Sequence, residues 1–374
     1  MDATEILRRW ERTVKQQLLP GLHAHQAKAL AAVSVAVARS GHCDSGRVSA
    51  AMPGRATAAS RRRRVERLVA NGRLRPERCQ GELARAVLAN LAACPGRPLV
   101  LILDETPQGD RLKCLKVSVG YRRRAIPLAW ECYRPDAPPV TMAKLVWRLL
   151  GRVARCLPQG VAVDLTLLAD RGLSWPTLLD CCVHLGWHYV LRVQGSVRVR
   201  TPAAAGDGAV AERSARELGP RKGDRWFGQG VAVFKKAGWR RANVVACWEP
   251  ACKEPWLLVT DRAATFARCR GYCRRTWCEQ LHRDEKSQGF NWQRSLVRDP
   301  ARARRLLVAV ALATVLAICT GAWVLKRGLR RVLESTRRRK LSLFQLGLRW
   351  VTIERDGPTD AAPIPPCTLY LPSG

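Results

Sequence analysis

Apolar residues in the first 92 positions recur at helical spacing. The opening stretch carries its apolar side chains three or four residues apart, at Ile6, Leu7, Trp10, Val14, Leu18 and Leu19. A period of this kind is typical of an amphipathic helix. A second run, AHQAKALAAVSVAVARS, stops at Gly41, and glycine commonly follows the last turn of a helix. We therefore predict an all-helical region over residues 1–92.

This region also contains a block of consecutive arginines in the stretch SRRRRVERLVANG, formed by Arg61, Arg62, Arg63 and Arg64. A solvated basic helix is one interpretation of the block. Contact with DNA is the other, and we favour it because binding to phosphate requires charge and little else. Residues 1–92 are thus predicted to be a helical DNA-binding region.

The pattern changes near residue 96, where two continuous apolar runs indicate strands buried on both faces. In the first, RPLVLILDET, the predicted strand ends in Asp104, and in the second, DLTLLADRG, it ends in Asp170. Between them, CLKVSVG and AIPLAWECY predict a hairpin, and TMAKLVWRLLGRVARCL predicts an amphipathic helix. SWPTLLDCCVHLG predicts a further helix, and WHYVLRV a further strand.

This order of three strands, helix, strand, helix and strand is typical of a ribonuclease H-like domain. The predicted fold class is therefore α/β, with a ribonuclease H-like mixed sheet and helices on both of its faces. We assign residues 93–195 to the first part of a catalytic core and residues 196–261 to a mainly β insertion. Residues 262–350 form the last part of the core, with C-terminal helices, and residues 351–374 form a Pro-rich tail that we expect to be poorly ordered.

One apolar segment, LLVAVALATVLAICTGAWVL at residues 306–325, is long enough to be a membrane-span candidate. It is rich in alanine and contains Thr314 and Thr320. We favour a buried helix of a large core and expect no membrane association.

Charge narrows the choice of partner. The chain has 374 residues, and 65 Lys and Arg against 30 Asp and Glu give a formal net charge of +35. A field of this sign indicates a polyanion, with nucleic acid first and an anionic membrane surface second. The N-terminus lacks the apolar core of a signal peptide, and the 15 cysteines follow no secreted pattern, so a cytoplasmic, nucleoid-associated protein is expected. The spacing of five cysteines fits no common zinc pattern: Cys247, Cys252, Cys269, Cys273 and Cys278.

The two aspartates near the ends of buried strands are candidate metal ligands. A lone Asp at such a position is more often a turn former, but Asp104 and Asp170 together fit a site for Mg²⁺, which prefers carboxylate oxygens. Two such ions about 3.5–4 Å apart can hold both oxygens of a phosphoryl displacement. A third carboxylate is then expected on a helix beside these strands.

The segment YCRRTWCEQLHRDEKSQGFNW, residues 272–292, supplies that carboxylate. At about 100° per residue, Tyr272, Arg275, Glu279 and Lys286 fall within roughly a sixth of a turn on a single helix. Glu279 can complete a metal site while the other three hold phosphates. The alternative is a surface pair of Arg275 with Glu279, worth about 0.3–0.5 kcal/mol. That alternative explains neither Tyr272 nor Lys286.

These four residues, at this spacing, resemble the YREK signature of the insertion-sequence-four family of DDE transposases. LDET at 103–106 and ADRG at 169–172 are similar to the segments that carry the family's first and second Asp. The resemblance implies that Asp104, Asp170 and Glu279 ligate two Mg²⁺ ions, which Mn²⁺ can replace. It implies that Tyr272, Arg275 and Lys286 contact the backbone of the transposon end.

The resemblance further implies a cut-and-paste transposase that acts on double-stranded DNA, both transposon ends and target, as a homodimer in the end complex. In the family, the element's end is nicked, a hairpin forms and reopens, and the 3′-hydroxyl is joined to target DNA. Family members also flip a base onto a Trp of the β insertion, for which the candidates are Trp226, Trp239, Trp248 and Trp256, with Trp292 as a further one.

Two other functions stay open at this stage. A ribonuclease H-like nuclease without strand transfer would need the same carboxylates. A decayed, non-catalytic copy would still bind DNA through its basic surface.

Overall fold

A computed structural model of the chain describes residues 3–93, 98–160, 163–202 and 210–353. The predicted Pro-rich tail lies outside the described residues from position 354 onward.

The N-terminal region is helical, as the apolar spacing predicts. It contains α1 (Ala3–Thr13), which continues into a π-helical turn over Val14–Leu18, and then α2 (Ala24–Ser40), α3 (Ser45–Ala51), α4 (Ala58–Ala70) and α5 (Pro76–Ala92). The helix starts are set by side chains, since Asp44 caps α3 and Thr57 caps α4 by accepting hydrogen bonds from backbone N–H groups of the first turn. Gly41 follows α2 in the left-handed conformation, φ 64°, which glycine adopts without strain.

The first three strands form an antiparallel meander of β1 (Leu99–Gln108), β2 (Leu112–Tyr121) and β3 (Arg124–Tyr133). The predicted hairpin is β2–β3, and its two turn residues, Arg122 and Arg123, both have positive φ. Two consecutive residues of positive φ match the twist of the flanking strands in a two-residue hairpin. The predicted end of the first strand near Asp104 is wrong, because β1 continues to Gln108 through antiparallel pairing with β2, whose first residue Leu112 faces Gln108.

The next elements alternate between helix and parallel strand: α6 (Met142–Ala154), β4 (Leu165–Ala169), α7 (Pro176–His184) and β5 (His188–Arg192). β1 pairs with β4 in parallel, and β4 pairs with β5 in parallel. The resulting order, β3-β2-β1-β4-β5, is a mixed sheet that is compatible with a ribonuclease H-like domain. The α/β class predicted from the sequence is confirmed.

The predicted mainly β segment supplies five more strands: β6 (Arg198–Pro202), β7 (Val210–Ser214), β8 (Arg225–Val233), β9 (Arg240–Cys247) and β10 (Trp256–Thr260). β10 pairs antiparallel with β5, with Leu258 opposite Arg192. The described residues therefore form one ten-stranded sheet, in which the order continues β5-β10-β9-β8-β6-β7. The domain boundaries stay a prediction, but the sheet continues across position 196.

The segment 272–292 is not the single helix that the sequence predicts. It comprises the end of α8 (Phe266–Tyr272), a 3₁₀ turn over Cys273–Arg275, and α9 (Thr276–Glu285). The Thr276 hydroxyl donates to the carbonyl of Cys273 at 2.7 Å, a local bond that accompanies the tighter turn. Lys286 follows the last residue of α9 with φ −95° and ψ −109°, outside helical geometry.

The apolar segment 306–325 lies within α10 (Pro300–Lys326), and its most apolar window is wholly buried inside the protein. By length and composition alone this helix could cross a membrane, but here it packs against α2, α4 and β3. It also crosses α12 (Leu343–Thr352), which follows the short α11 (Arg330–Leu333). A Cβ at Gly321 would lie 1.9 Å from the Leu343 carbonyl oxygen, so only glycine permits this crossing.

Candidate active site

Asp104 lies within β1 and faces helix α9. Its Oδ1 accepts a hydrogen bond from the backbone N–H of Glu105 at 3.0 Å, which fixes the carboxylate. Its Oδ2 lies 3.5 Å from Arg275 Nη2 and 3.4 Å from His282 Nε2. Burial alone would raise the pKa of Asp104, but the His282 contact and the Arg275 charge lower it below its ordinary value. Asp104 is therefore a buried carboxylate held in its charged form.

Asp170 follows the last residue of β4, as the sequence predicts. Because β4 runs parallel to β1, with Ala169 opposite Leu103, Asp170 at the carboxyl end of β4 lies beside Asp104, which is within β1. The Tyr272 hydroxyl lies 3.3 Å from the Ala169 carbonyl and 3.4 Å from Asp170 Oδ1. This contact holds the end of β4 against α8.

One guanidinium joins the three predicted carboxylates. Arg275 lies 3.5 Å from Asp104, 3.4 Å from Asp170 Oδ2, and forms an ion pair with Glu279 on the next turn. Burial alone would lower the pKa of Arg275, but Asp104 and Asp170 outweigh it and hold that pKa above its ordinary value. The 3₁₀ turn at Cys273–Arg275 and the start of α9 thus place Arg275 and Glu279 beside Asp104 of β1 and Asp170 at the end of β4.

This arrangement fits a hard divalent cation in chemistry and access. The exposed fraction of the carboxylate side chains rises from 11% at Asp104 through 28% at Asp170 to 42% at Glu279, so water and ions reach the site. Three carboxylates and one guanidinium carry a formal charge of 1 − 3 = −2. Carboxylate oxygens with water are the ligands Mg²⁺ prefers.

The Arg275 side chain stands between these ligands. Among the described residues, the group of three possible ligand atoms within 4.8 Å of one another is Asp104, Cys278 and His282, and it does not include Asp170 or Glu279. Ion binding by the three carboxylates therefore requires Arg275 to turn away and the carboxylates to approach one another.

Lys286 lies beside β1 rather than among the carboxylates. Its amino group donates to the Thr106 hydroxyl and to the Pro107 carbonyl, both at 2.6 Å. Burial and the nearby charge of Lys116 lower its pKa. The structure thus brings Tyr272, Arg275 and Glu279 together with the aspartates and places Lys286 at the far end of β1.

The predicted phosphate-binding side chains differ in exposure. Tyr272 is 4% exposed, so in this arrangement its phenol faces Asp170 instead of solvent. In the arginine block of α4, Arg61 donates to the Gly54 carbonyl and Arg62 pairs with Glu66 at 3.0 Å. Arg63 and Arg64 are exposed on the same helix.

Among the tryptophans considered for base stacking, Trp292 is buried in this arrangement. Its side chain is 0% exposed and lies beside Lys116. Trp256 is partly buried and packs edge-on against Tyr272, with ring centroids 5.7 Å apart. Trp239 is also partly buried and carries the Arg200 guanidinium 4.2 Å above its ring.

The sequence reasoning missed a set of buried side chains behind Asp104. His282 Nε2 contacts both Asp104 and Cys278, and its Nδ1 faces Glu285 Oε2 at 3.9 Å. Glu285 in turn pairs with Lys116, and both are nearly inaccessible to solvent. The available signal was the spacing of Cys278 and His282, since residues four apart lie on one helix face.

A family model described as a transposase DDE domain matches residues 103–316. This range covers more than half of the chain and contains Asp104, Asp170 and Glu279, together with Tyr272, Arg275 and Lys286. No curated protein matches the chain.

Proposed function

Because the chain belongs to the transposase DDE domain family, we propose that it is the cut-and-paste transposase of a bacterial insertion sequence, of the insertion-sequence-four group. Family membership implies an enzyme of the nuclease and nucleotidyl-transferase class with DNA as its substrate. The proposal also covers the roles of individual residues, the identity of the metal ions and the order of the reaction steps.

One observation carries it: three carboxylates, from β1, from the end of β4 and from α9, share the guanidinium of Arg275. A surface salt bridge between Arg275 and Glu279 would not need two aspartates from the sheet. The observation supports the prediction that these carboxylates act together.

We propose that Asp104, Asp170 and Glu279 hold two Mg²⁺ ions, with Mn²⁺ able to replace them. When bound, the ions would activate a nucleophile and neutralise the charge that develops on the phosphate oxygens. Asp104 is positioned for this role by the Glu105 N–H bond, and Asp170 by the Tyr272 hydroxyl.

Arg275 changes partners in this scheme. Its planar fork suits phosphate oxygens as well as carboxylates. Once the carboxylates are neutralised by other charges, its guanidinium turns to a phosphate of the transposon end. Lys286, at the end of β1, would hold a second phosphate, and Tyr272 would orient Asp170 as well as approach the DNA backbone.

The proposed reaction begins with hydrolysis of one strand at the element's end. The freed 3′-hydroxyl attacks the opposite strand to form a hairpin, which is reopened, and the 3′-hydroxyl ends are then joined to target DNA. Arg61, Arg62, Arg63 and Arg64 of α4 would bind the terminal inverted repeats, in a homodimeric end complex on the nucleoid. Trp256, through its contact with Tyr272, is the tryptophan best placed near the site to stack on a flipped base.

Strand transfer separates this function from its rivals. The purified protein is incubated with Mg²⁺, a pre-cut end duplex that carries a free 3′-hydroxyl, and supercoiled plasmid as target. The proposal predicts covalent joining of the end to the plasmid. A nuclease would degrade or nick the duplex without joining it, and a decayed copy would bind it without any metal-dependent product.

A further inference from the structure

A carboxylate, a thiol and an imidazole lie close together on the buried side of Asp104. Cys278 and His282 lie four residues apart on α9, so that both side chains face β1, where Asp104 stands opposite them. Their donor atoms all lie within 4.8 Å of one another. Paired ligands at this spacing on one helix face are a recurrent way of holding a zinc ion.

Two of the three distances between donor atoms match those around a tetrahedral ion, and the third is below 4.8 Å. His282 Nε2 lies 3.4 Å from Cys278 Sγ and 3.4 Å from Asp104 Oδ2. Bond lengths of zinc to nitrogen, sulfur and carboxylate oxygen place neighbouring donors about 3.3–3.6 Å apart at tetrahedral angles. The ring nitrogen therefore already stands at the separation that a shared ion demands.

The other ring nitrogen of His282 supplies an independent observation. His282 is about nine-tenths buried, and its Nδ1 has no hydrogen-bond partner among the described residues. The nearest carboxylate, Glu285 Oε2, lies 3.9 Å away and is anchored by Lys116. Metal-bound histidines usually direct their second nitrogen to such a carboxylate, which fixes the tautomer that leaves Nε2 free for the ion.

We propose that Asp104, Cys278 and His282 form a site for a soft divalent transition-metal ion, with Zn²⁺ as the best fit, and that its occupation blocks Mg²⁺-dependent chemistry. A thiolate and an imidazole select Zn²⁺ over Mg²⁺, which takes oxygen ligands. On binding, the Cys278 thiol and the Nε2–H of His282 each give up a proton to solvent, so that a thiolate sulfur and an unprotonated ring nitrogen face the ion. A water completes the fourth position.

Inhibition by the bound ion is expected because both metal sites need the same oxygen atom of Asp104. Asp104 Oδ2 is the atom that faces both Arg275 and His282, whereas Oδ1 is held by the Glu105 N–H. An ion on the His282 side takes Oδ2 away from the open carboxylates. This part rests on the proposed function, whereas the metal site itself does not.

Cobalt gives a direct test, because Co²⁺ bound to a thiolate has a charge-transfer band in the near ultraviolet. The full-length protein is titrated with Co²⁺ and then with Zn²⁺ in excess Mg²⁺, beside Cys278→Ser and Cys273→Ser. Cys273 is exposed in the same segment and serves as the matched control. We expect the band in the wild type and in Cys273→Ser, its displacement by Zn²⁺, and its loss in Cys278→Ser.

Zinc affinity should fall at least about 10-fold in Cys278→Ser, since even an outer partner of a metal-bound histidine contributes 10–100-fold. No band in the wild type, or equal zinc affinity in wild type and Cys278→Ser, would overturn the site. The wild-type titration decides this even if the variant does not fold.

The inhibitory part is tested on Mg²⁺-dependent cleavage of an end duplex. Zn²⁺ should inhibit the wild type at least about 10-fold more strongly than Cys278→Ser, in parallel with its affinity. Zinc bound at Cys278 without inhibition would overturn this part. Absence of cleavage without zinc would instead contradict the proposed function, while the cobalt band would still decide the site.

Discussion

The charges on the two sides of helix α9 are balanced differently. Oδ2 of Asp104 lies between the two sides, because it contacts Arg275 on the open side and His282 on the inner side. On the open side, three carboxylates share Arg275, which leaves an excess of negative charge in contact with water. On the inner side, Glu285 is matched by Lys116 with almost no solvent access. Burial would raise the pKa of Glu285, but Lys116 and then His282 lower it below its ordinary value, so the buried pair stays ionised.

The open cluster has an excess of negative charge and can therefore take up cations. In the inner pair, the negative charge of Glu285 is already matched by Lys116. In the proposed function, metal ions replace the Arg275 guanidinium beside the three carboxylates. The positive charge of the ions then takes the place of the guanidinium charge. A balanced buried pair has no such exchange, since removing either partner leaves an isolated charge in a medium that solvates it poorly. We therefore expect substitutions on the open side to change activity, and substitutions on the inner side to change stability.

Neighbouring carboxylates on β1 provide the sharpest test of this division. Asp104→Asn should lower Mg²⁺-dependent end cleavage by about 10³-fold or more, since each metal ion supplies several kcal/mol of charge stabilisation. Glu105→Gln is the matched control, because Glu105 pairs with Lys113 at 2.9 Å and with Tyr133, away from the carboxylate cluster. End binding is measured in parallel and should be retained in both variants. Equal cleavage by Asp104→Asn and wild type would remove Asp104 from the reaction.

The inner side should respond in stability. Lys116→Met should lower the free energy of unfolding by about 3–5 kcal/mol, because Glu285 is left as an unpaired buried charge. Lys116→Met combined with Glu285→Leu should recover most of that loss. Urea unfolding measures both, with Asp136→Asn in the exposed Arg134 pair as a control that should show no measurable change. A double variant as unstable as the sum of its singles would contradict the pairing.

The positively charged side chains of Arg275 and Lys286 should contribute to the salt dependence of end binding. Arg275→Ala and Lys286→Ala should each flatten the slope of log affinity against log salt by up to about one unit, because each loses one phosphate contact. Arg275→Lys keeps the charge and should keep the slope while cleavage falls, since the planar fork is lost. Binding isotherms at several salt concentrations provide the measurement. Unchanged slopes in both alanine variants would count against phosphate contact.

A further expected effect concerns the pH dependence of stability and Asp284, next to Glu285. Burial raises its pKa to about 7, although Arg124 lies 3.2 Å away and lowers it. Because the folded state binds this proton more tightly than the unfolded state, where the pKa is about 3.9, stability should fall as pH rises from about 4 to 7, by at most about 1.4 kcal/mol per pH unit. Asp284→Asn should flatten this decline in urea unfolding. The same slope in variant and wild type would place the titration elsewhere.

The sequence predicts where β1 and β4 lie and that Asp104 and Asp170 come together. It does not predict the features that depend on contacts between distant segments. Hydrophobic runs locate β1 and β4, and the parallel pairing of these strands brings Asp104 and Asp170 together. The end of β1 is wrong because pairing with β2 extends a strand through polar residues such as Thr106 and Gln108. A uniform helical period predicts one face for Tyr272 and Lys286, but the 3₁₀ turn and the end of α9 at Glu285 separate them.

The inner side was not predictable by inspection of single residues. Lys116 lies at a position of β2 opposite Asp104, and its buried partner Glu285 is 169 residues away in the chain. Nothing local distinguishes such a lysine from a surface lysine. Cys278 and His282 were visible as a pair at helical spacing, but only the position of Asp104 in the sheet makes them a set of three donors.

The central claim, that Glu279 acts with Asp104 and Asp170 in metal-dependent DNA cleavage, is tested most directly on one gel. Purified wild type and Glu279→Ala are incubated with a duplex carrying the element's own end and Mg²⁺, and the products are separated under denaturing conditions. We predict a nick at the end followed by a hairpin in the wild type, and neither product in Glu279→Ala. Equal cleavage by both proteins, or binding without cleavage by both, would contradict the claim and return Glu279 to a salt bridge with Arg275.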